Sequence, residues 1–110
     1  MTDKIVILCT CGGADEAGRL AHSLVEARLA ACVNVFPQVR SYYRWKGKIE
    51  SSEEWLLAIK SSQGLFEAVR AHIARLHSYE LPEILALPVE GGSAEYLAWL
   101  ESNLGAEQAE

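Results

Sequence analysis

The stretch RSYYRWKGKIESSEEWLLAIK, Arg40 to Lys60, decides the fold. It reads as two long strands joined by a tight turn at Lys46-Gly47, because aromatic and β-branched residues flanking an X-Gly pair are a hairpin signal. Tyr42, Tyr43, Trp45 and Trp55 are four of the chain's nine aromatic residues. A two-residue turn pairs Trp45 with Lys48 and Tyr43 with Glu50. Carried outward, that register sets Arg40 opposite Glu53, a favourable cross-strand pair. Each arm reaches roughly ten residues, against a usual strand of about 5–6. Such a hairpin overhangs a small body, and its free edges must be paired, covered or charged. The expectation is an assembly device in which Tyr43, Trp45 and Trp55 meet a neighbouring copy of the chain.

On the N-terminal side, KIVILCT (Lys4–Thr10) is an apolar run of strand length, broken by Cys11-Gly12-Gly13. Asp15 and Glu16 suit a helix's first turn. Ala17, Leu20, Ala21, Leu24, Val25 and Leu29 recur at helical spacing, which predicts an amphipathic helix ending near Ala30. A second strand starts at Ala31–Phe36, and Pro37 interrupts it as a bend, bulge or edge. On the C-terminal side, Trp55–Lys60 is apolar enough for a central strand. Ser61 or Ser62 is a candidate N-cap for a helix carrying Leu65, Phe66, Val69, Ile73 and Leu76, which runs to about His77. Leu81-Pro82 ends helical structure. Glu83–Val89 reads as a short strand, Ser93 as an N-cap, and Tyr96, Leu97, Trp99 and Leu100 as a short last helix closed by Gly105. The order strand, helix, strand, strand, helix, strand, helix is a split βαβ, ferredoxin-like α+β arrangement with helices on one sheet face. Residues 1–104 form one domain in this reading, and 105–110 a polar tail. The other sheet face needs cover that a single small domain does not supply.

A chain of 110 residues is long enough to bury its own core. Its net charge of −5 argues against binding through nucleic-acid phosphates or a polybasic membrane contact. The three cysteines are an odd number, and the first residues turn polar too soon for a signal peptide. No apolar run approaches the roughly 20 residues of a spanning helix. These features point to a cytoplasmic protein with reduced thiols.

Several segments together resemble the CutA divalent-cation tolerance family. They are AACVNV (Ala30–Val35), RSYYRWKGKIE (Arg40–Glu50), EWLLAIK (Glu54–Lys60), HSYELPEI (His77–Ile84) and YLAWL (Tyr96–Leu100), in the family's order and spacing. The resemblance covers about Ile5 to Leu104. It implies a ferredoxin-like homotrimer similar in shape to the PII signalling proteins, linked to metal tolerance and to copper, without an established enzymatic activity.

Cys9-Thr10-Cys11 sets two sulfurs on one strand face, which suits a soft metal such as Cu(I). Taken alone, Cys9 reads first as a small buried hydrophobe at the end of a central strand. A four-ligand zinc site lacks a second cysteine pair, and Cys32 reads as packing. The resemblance adds that some members carry a copper-linked cysteine where Cys9 stands. Some also carry adjacent histidines near His77, where this chain has Leu76, and often proline where it has Ser78. His77 is therefore a single candidate ligand or a cap at a helix C-terminus. His22 and His72 lie on polar helix faces and are expected to be exposed.

Tyr79, Glu80, Pro82 and Glu83 form the most site-like cluster, with Lys60 or Arg44 of a neighbouring copy completing an intersubunit cleft. Its carboxylates suit a hard divalent ion or intersubunit salt bridges. Gly12-Gly13 lacks the Lys and Ser/Thr of a phosphate loop. No nucleophile–base set is legible in the sequence. The leading expectation is a non-enzymatic, trimeric, metal-responsive protein; the alternative is a small-ligand sensor or scaffold that uses intersubunit clefts.

Overall fold

A computed structural model describes residues 2–105. Strand β1 (Lys4–Cys11) leads into helix α1 (Ala14–Glu26), then β2 (Cys32–Trp45) and β3 (Lys48–Ser62). A single 3-10 turn (Gln63–Leu65) precedes α2 (Phe66–Leu76), followed by β4 (Leu85–Pro88) and α3 (Ala94–Ser102). The sheet order is β2-β3-β1-β4, and all pairs are antiparallel. This is the expected ferredoxin-like α+β order with a helix added at the end.

The hairpin register is the expected one: Trp45 opposes Lys48, Tyr43 opposes Glu50 and Arg40 opposes Glu53. Lys46 and Gly47 both have positive φ, 50° and 80°, as a type I′ turn requires. Arg40 and Glu53 nevertheless form no ion pair. The arms are longer than expected, at 14 and 15 residues. Pro37 stands at a bulge on the edge strand β2, two of the positions expected for it, and the strand continues past it. A bulge between Phe36 and Val39 absorbs it, with Gln38 at φ 57°. β1 accompanies β3 only as far as Trp55, opposite Cys11. From Val39 to Glu54 the hairpin stands beyond the body, and the molecule measures 53 × 26 × 22 Å.

Alternation divides the sheet. Ile5, Ile7, Cys9 and Cys11 of β1, with Leu57 and Ile59 of β3, face α1 and α2 and are buried with Leu20, Leu24, Val69 and Ile73. Trp55, expected among the outward anchors, also packs partly buried against this cluster, where it braces the hairpin's root. The register places Val6, Leu8, Leu56, Ala58, Phe36, Leu85 and Leu87 on the opposite, uncovered face. Phe36 is 49% exposed and Leu85 58%. α3 closes one end of the body through Leu100 and Leu104 against Ala31. Ser93 caps it, its hydroxyl accepting from the Tyr96 N–H at 3.1 Å.

Several boundaries differ from expectation. α1 stops at Glu26 because Arg28 turns left-handed at φ 60°. Arg28 then ties down the chain's end: its carbonyl accepts from the Gly105 N–H at 2.9 Å and its guanidinium donates to the Gly105 and Ser102 carbonyls. Neither Ser61 nor Ser62 caps α2, since the Ser61 hydroxyl donates to the Leu29 carbonyl at 2.6 Å and Ser62 makes no side-chain cap. Residues 106–110 of the expected polar tail lie outside the described residues.

Candidate functional site

The cleft is built between the cleft-facing side of the outer hairpin and the loop after α2. It encloses about 570 Å³ and is lined by Thr10, Tyr43, Trp45, Glu50, Glu54 and the run Tyr79–Glu83. Alternation along β2 and β3 places Tyr43, Trp45, Glu50 and Glu54 on this side. Glu50, Glu54, Glu80 and Glu83 make it acidic, and no Lys or Arg lines it.

His77 holds the loop in place. Its side chain is fully buried. The Tyr79 N–H donates to Nδ1 at 2.9 Å, and Nε2 lies 2.7 Å from the Thr10 carbonyl. Because Nδ1 accepts, the proton sits on Nε2 and is given to that carbonyl. Both ring nitrogens of the neutral imidazole are thereby engaged. Beside it, the Glu16 carboxylate accepts from the Ser78 N–H at 2.7 Å and the Ser78 hydroxyl at 3.0 Å. Burial pushes the Glu16 carboxyl up, but the opposing contributions, led by these Ser78 hydrogen bonds, together hold the group below its ordinary value.

Tyr79 follows from this latch. Its ring lies against His77, with centroids 4.7 Å apart. Its hydroxyl donates to Glu54 Oε2 at 2.8 Å. Burial first, then the Glu54 hydrogen bond, raise the phenol above its ordinary range. Tyr79 is thus a neutral donor. A methyl group on Gly12 would meet its hydroxyl oxygen at 3.4 Å, so the glycine admits the ring's close approach.

The two sulfurs of the expected soft-metal pair share one strand face, inside the core. Cys9 is 0% exposed in the core, and burial pushes its thiol up to about 12. Its neighbour Cys11 ends β1 in the same core, where burial also raises the thiol. Metal ligation needs a thiolate, and both His77 nitrogens have partners. Among the described residues no group of three or more His, Cys, Asp or Glu side chains is placed to hold a metal ion. Lys60 lies on the uncovered sheet face, where its ammonium donates to Asn34 Oδ1, away from its own chain's cleft.

Of the expected cleft residues, Tyr79, Glu80, Pro82 and Glu83 do come together, and Tyr43 and Trp45 join them. Glu50, Glu54 and Thr10 were not singled out as site residues. The hairpin register held the signal for the first two, since it sets Glu50 opposite Tyr43 and Glu54 two pairs further on the same side. His72 also departs from expectation. It is half-buried and meets Ser23 Oγ at 2.7 Å. Arg75 donates to its Nδ1 at 3.2 Å, so Nε2 carries the proton towards the serine. That polarity is the reverse of nucleophile activation.

The family described as CutA1 divalent ion tolerance protein matches residues 5–103. The divalent-cation tolerance protein CutA of Pectobacterium atrosepticum is 46% identical over 94% of this chain and 94% of its own length. The chloroplastic CutA of Arabidopsis thaliana is 43% identical over 91% of this chain, which spans 55% of that longer protein. Among solved structures, the divalent cation tolerance protein of Thermus thermophilus superposes with a TM-score of 0.91 at 42% identity, covering 93% of this chain and 99% of that one.

Proposed function

Because the chain belongs to the CutA1 divalent ion tolerance family, we propose that it acts in metal-ion tolerance as a non-enzymatic cytoplasmic homotrimer that binds copper or another divalent cation. The family match across residues 5–103 is the observation that carries this reading. Two features support assembly. The outer hairpin exposes Tyr43 at 43% and Trp45 at 53%, and an apolar sheet face stands uncovered. Patches of this kind mark interfaces.

For the cation, the cleft is a better receiver than the thiol. Glu80 and Glu83 present carboxylate oxygens beside it, the donor type that hard divalent ions take. Cys9 and His77 become ligands only if the core and the loop latch open. Calorimetric titration with Cu²⁺ separates the two routes. Binding should survive in Cys9→Ser and His77→Ala and weaken in the Glu80→Gln/Glu83→Gln double variant. Loss confined to Cys9→Ser or His77→Ala would return the site to the sulfur and imidazole. No heat with any divalent ion would favour the second reading, a PII-like small-ligand sensor or scaffold. That reading is supported by the size of the cleft and its aromatic walls, Tyr43, Trp45 and Tyr79.

A further inference from the structure

The two sides of the outer hairpin carry opposite chemistry. Tyr43, Trp45, Glu50 and Glu54 face the cleft, while Arg40, Tyr42, Arg44 and Ile49 project from the reverse side. Glu54 is the anomaly. It is only 7% exposed. One oxygen accepts from the neutral Tyr79 phenol; the other has no hydrogen-bond partner among the described residues and reaches the cleft surface rather than the interior. No Lys or Arg among them pairs with it. Burying a carboxylate is costly unless a cation and further donors complete it. Among the described residues of one chain, no cation completes this largely covered one.

The reverse side shows the matching deficit. Arg40 and Arg44 form no ion pair or side-chain hydrogen bond among the described residues. Beside them Tyr42 and Ile49 are each 71% exposed. Arg40 at least faces its own chain's Glu53, whereas Arg44 faces Ile49. Arg44 therefore has neither a carboxylate opposite it nor cover for its apolar neighbours.

We infer that Arg44 of one copy enters the cleft of the next and pairs with Glu54 and Glu50 there, so that each site is completed by a neighbouring chain. This rests on the homotrimer reading. A guanidinium fits the cleft's chemistry, because its planar fork meets carboxylates bidentately and stacks on aromatic faces such as Tyr43 and Trp45. The contact joins two different surfaces, so it is heterologous and propagates head to tail into a ring when the rotation closes. An isologous dimer through the cleft sides would instead set carboxylates against carboxylates.

Light scattering across a dilution series tests the assignment, with circular dichroism to check folding. Arg44 and Glu50 are both exposed, so their variants leave the core untouched. The wild-type chain should run at about three chain masses. R44E and E50K should each dissociate at a concentration at least about tenfold higher, the effect of losing one charge-assisted contact. The double reversal R44E/E50K restores an opposite-charge pair between positions 44 and 50, while Glu54 stays acidic, and should recover part of that loss. R44E trimers as resistant to dilution as the wild type would overturn the assignment and leave the trimer standing. So would two weakened single variants that the double reversal does not rescue. Unchanged R44E assembly with tetramethylammonium binding in the cleft would give the site to a small organic cation. A monomeric wild type would remove the trimer reading and this assignment with it.

Discussion

The inner and outer halves of the β2–β3 hairpin are continuous strands held by different forces. The inner half lies beside β1 and beneath α1 and α2, where Leu57 and Ile59 are 0% exposed. The outer half, from Val39 to Glu54, has its own ladder and, at its root, the Tyr79–Glu54 hydrogen bond, and a lone two-stranded hairpin is marginal in water. One half is fixed by the core of its own chain. The other combines aromatic and charged side chains with little burial, which suits a surface that is finished by something outside the chain.

Truncations in the two halves should separate them most sharply. Leu57→Ala removes a fully buried side chain opposite Cys9, and about 2–5 kcal/mol of stability should be lost in urea denaturation. Trp45→Ala, at 53% exposure, should leave the unfolding free energy of the dissociated chain within about 0.5 kcal/mol and act on assembly instead. Equal losses in the dissociated chain would mean that the outer half is part of the same cooperative core.

The junction of the halves comes next. Tyr79→Phe removes the only side-chain hydrogen bond to the Glu54 carboxylate among the described residues. A buried carboxylate without a partner should cost about 1–3 kcal/mol, read as a lower urea midpoint. A neutral result would show that Glu54 already has water or another donor there.

How much of this was legible follows the range of the interactions. The outer register was readable because alternation and a Lys-Gly turn are local signals. The bulge at Pro37 is among the positions the sequence allows, but the arm length is not legible there, because nothing local says that the strand runs on through the bulge. The facing of Trp55 was available from its alternation with Leu57 and Ile59, but its aromatic character drew it into the outward set. The loop's site-like cluster was visible as carboxylates around a proline-fixed turn. The role of His77 was not, since it depends on the Thr10 carbonyl 67 positions away, a tertiary contact without a local pattern. Cys9 was left open between core and ligand for the same reason: strand alternation gives its face, but not what covers that face.

The latch beside the junction should report through pH. Glu16 is held below the ordinary carboxyl value in the folded chain, where its burial is opposed by contributions led by the Ser78 hydrogen bonds. A depressed folded value means that its stabilisation is present above the unfolded range, near about 4.3. It is lost as pH falls through the lower folded value. Wild-type stability should therefore drop in that acid window, and Glu16→Gln should drop less steeply there. Parallel curves would mean that the Ser78 contacts persist with a protonated carboxyl.

The smallest effect belongs to the hairpin's tip. Lys46 sits at φ 50° and Gly47 at φ 80° in the type I′ turn. Lysine pays a steric cost there that asparagine, with its local hydrogen bonding, largely avoids. Lys46→Asn should stabilise the hairpin by a few tenths of a kcal/mol, on the order of the backbone preference alone. In the dissociated chain the outer half is not part of the core, so the gain should appear as slower amide exchange at Tyr43–Glu50 and leave the global urea midpoint unchanged. If the global midpoint rises by the same amount, the tip unfolds together with the core, and the division of the hairpin into two independent halves fails.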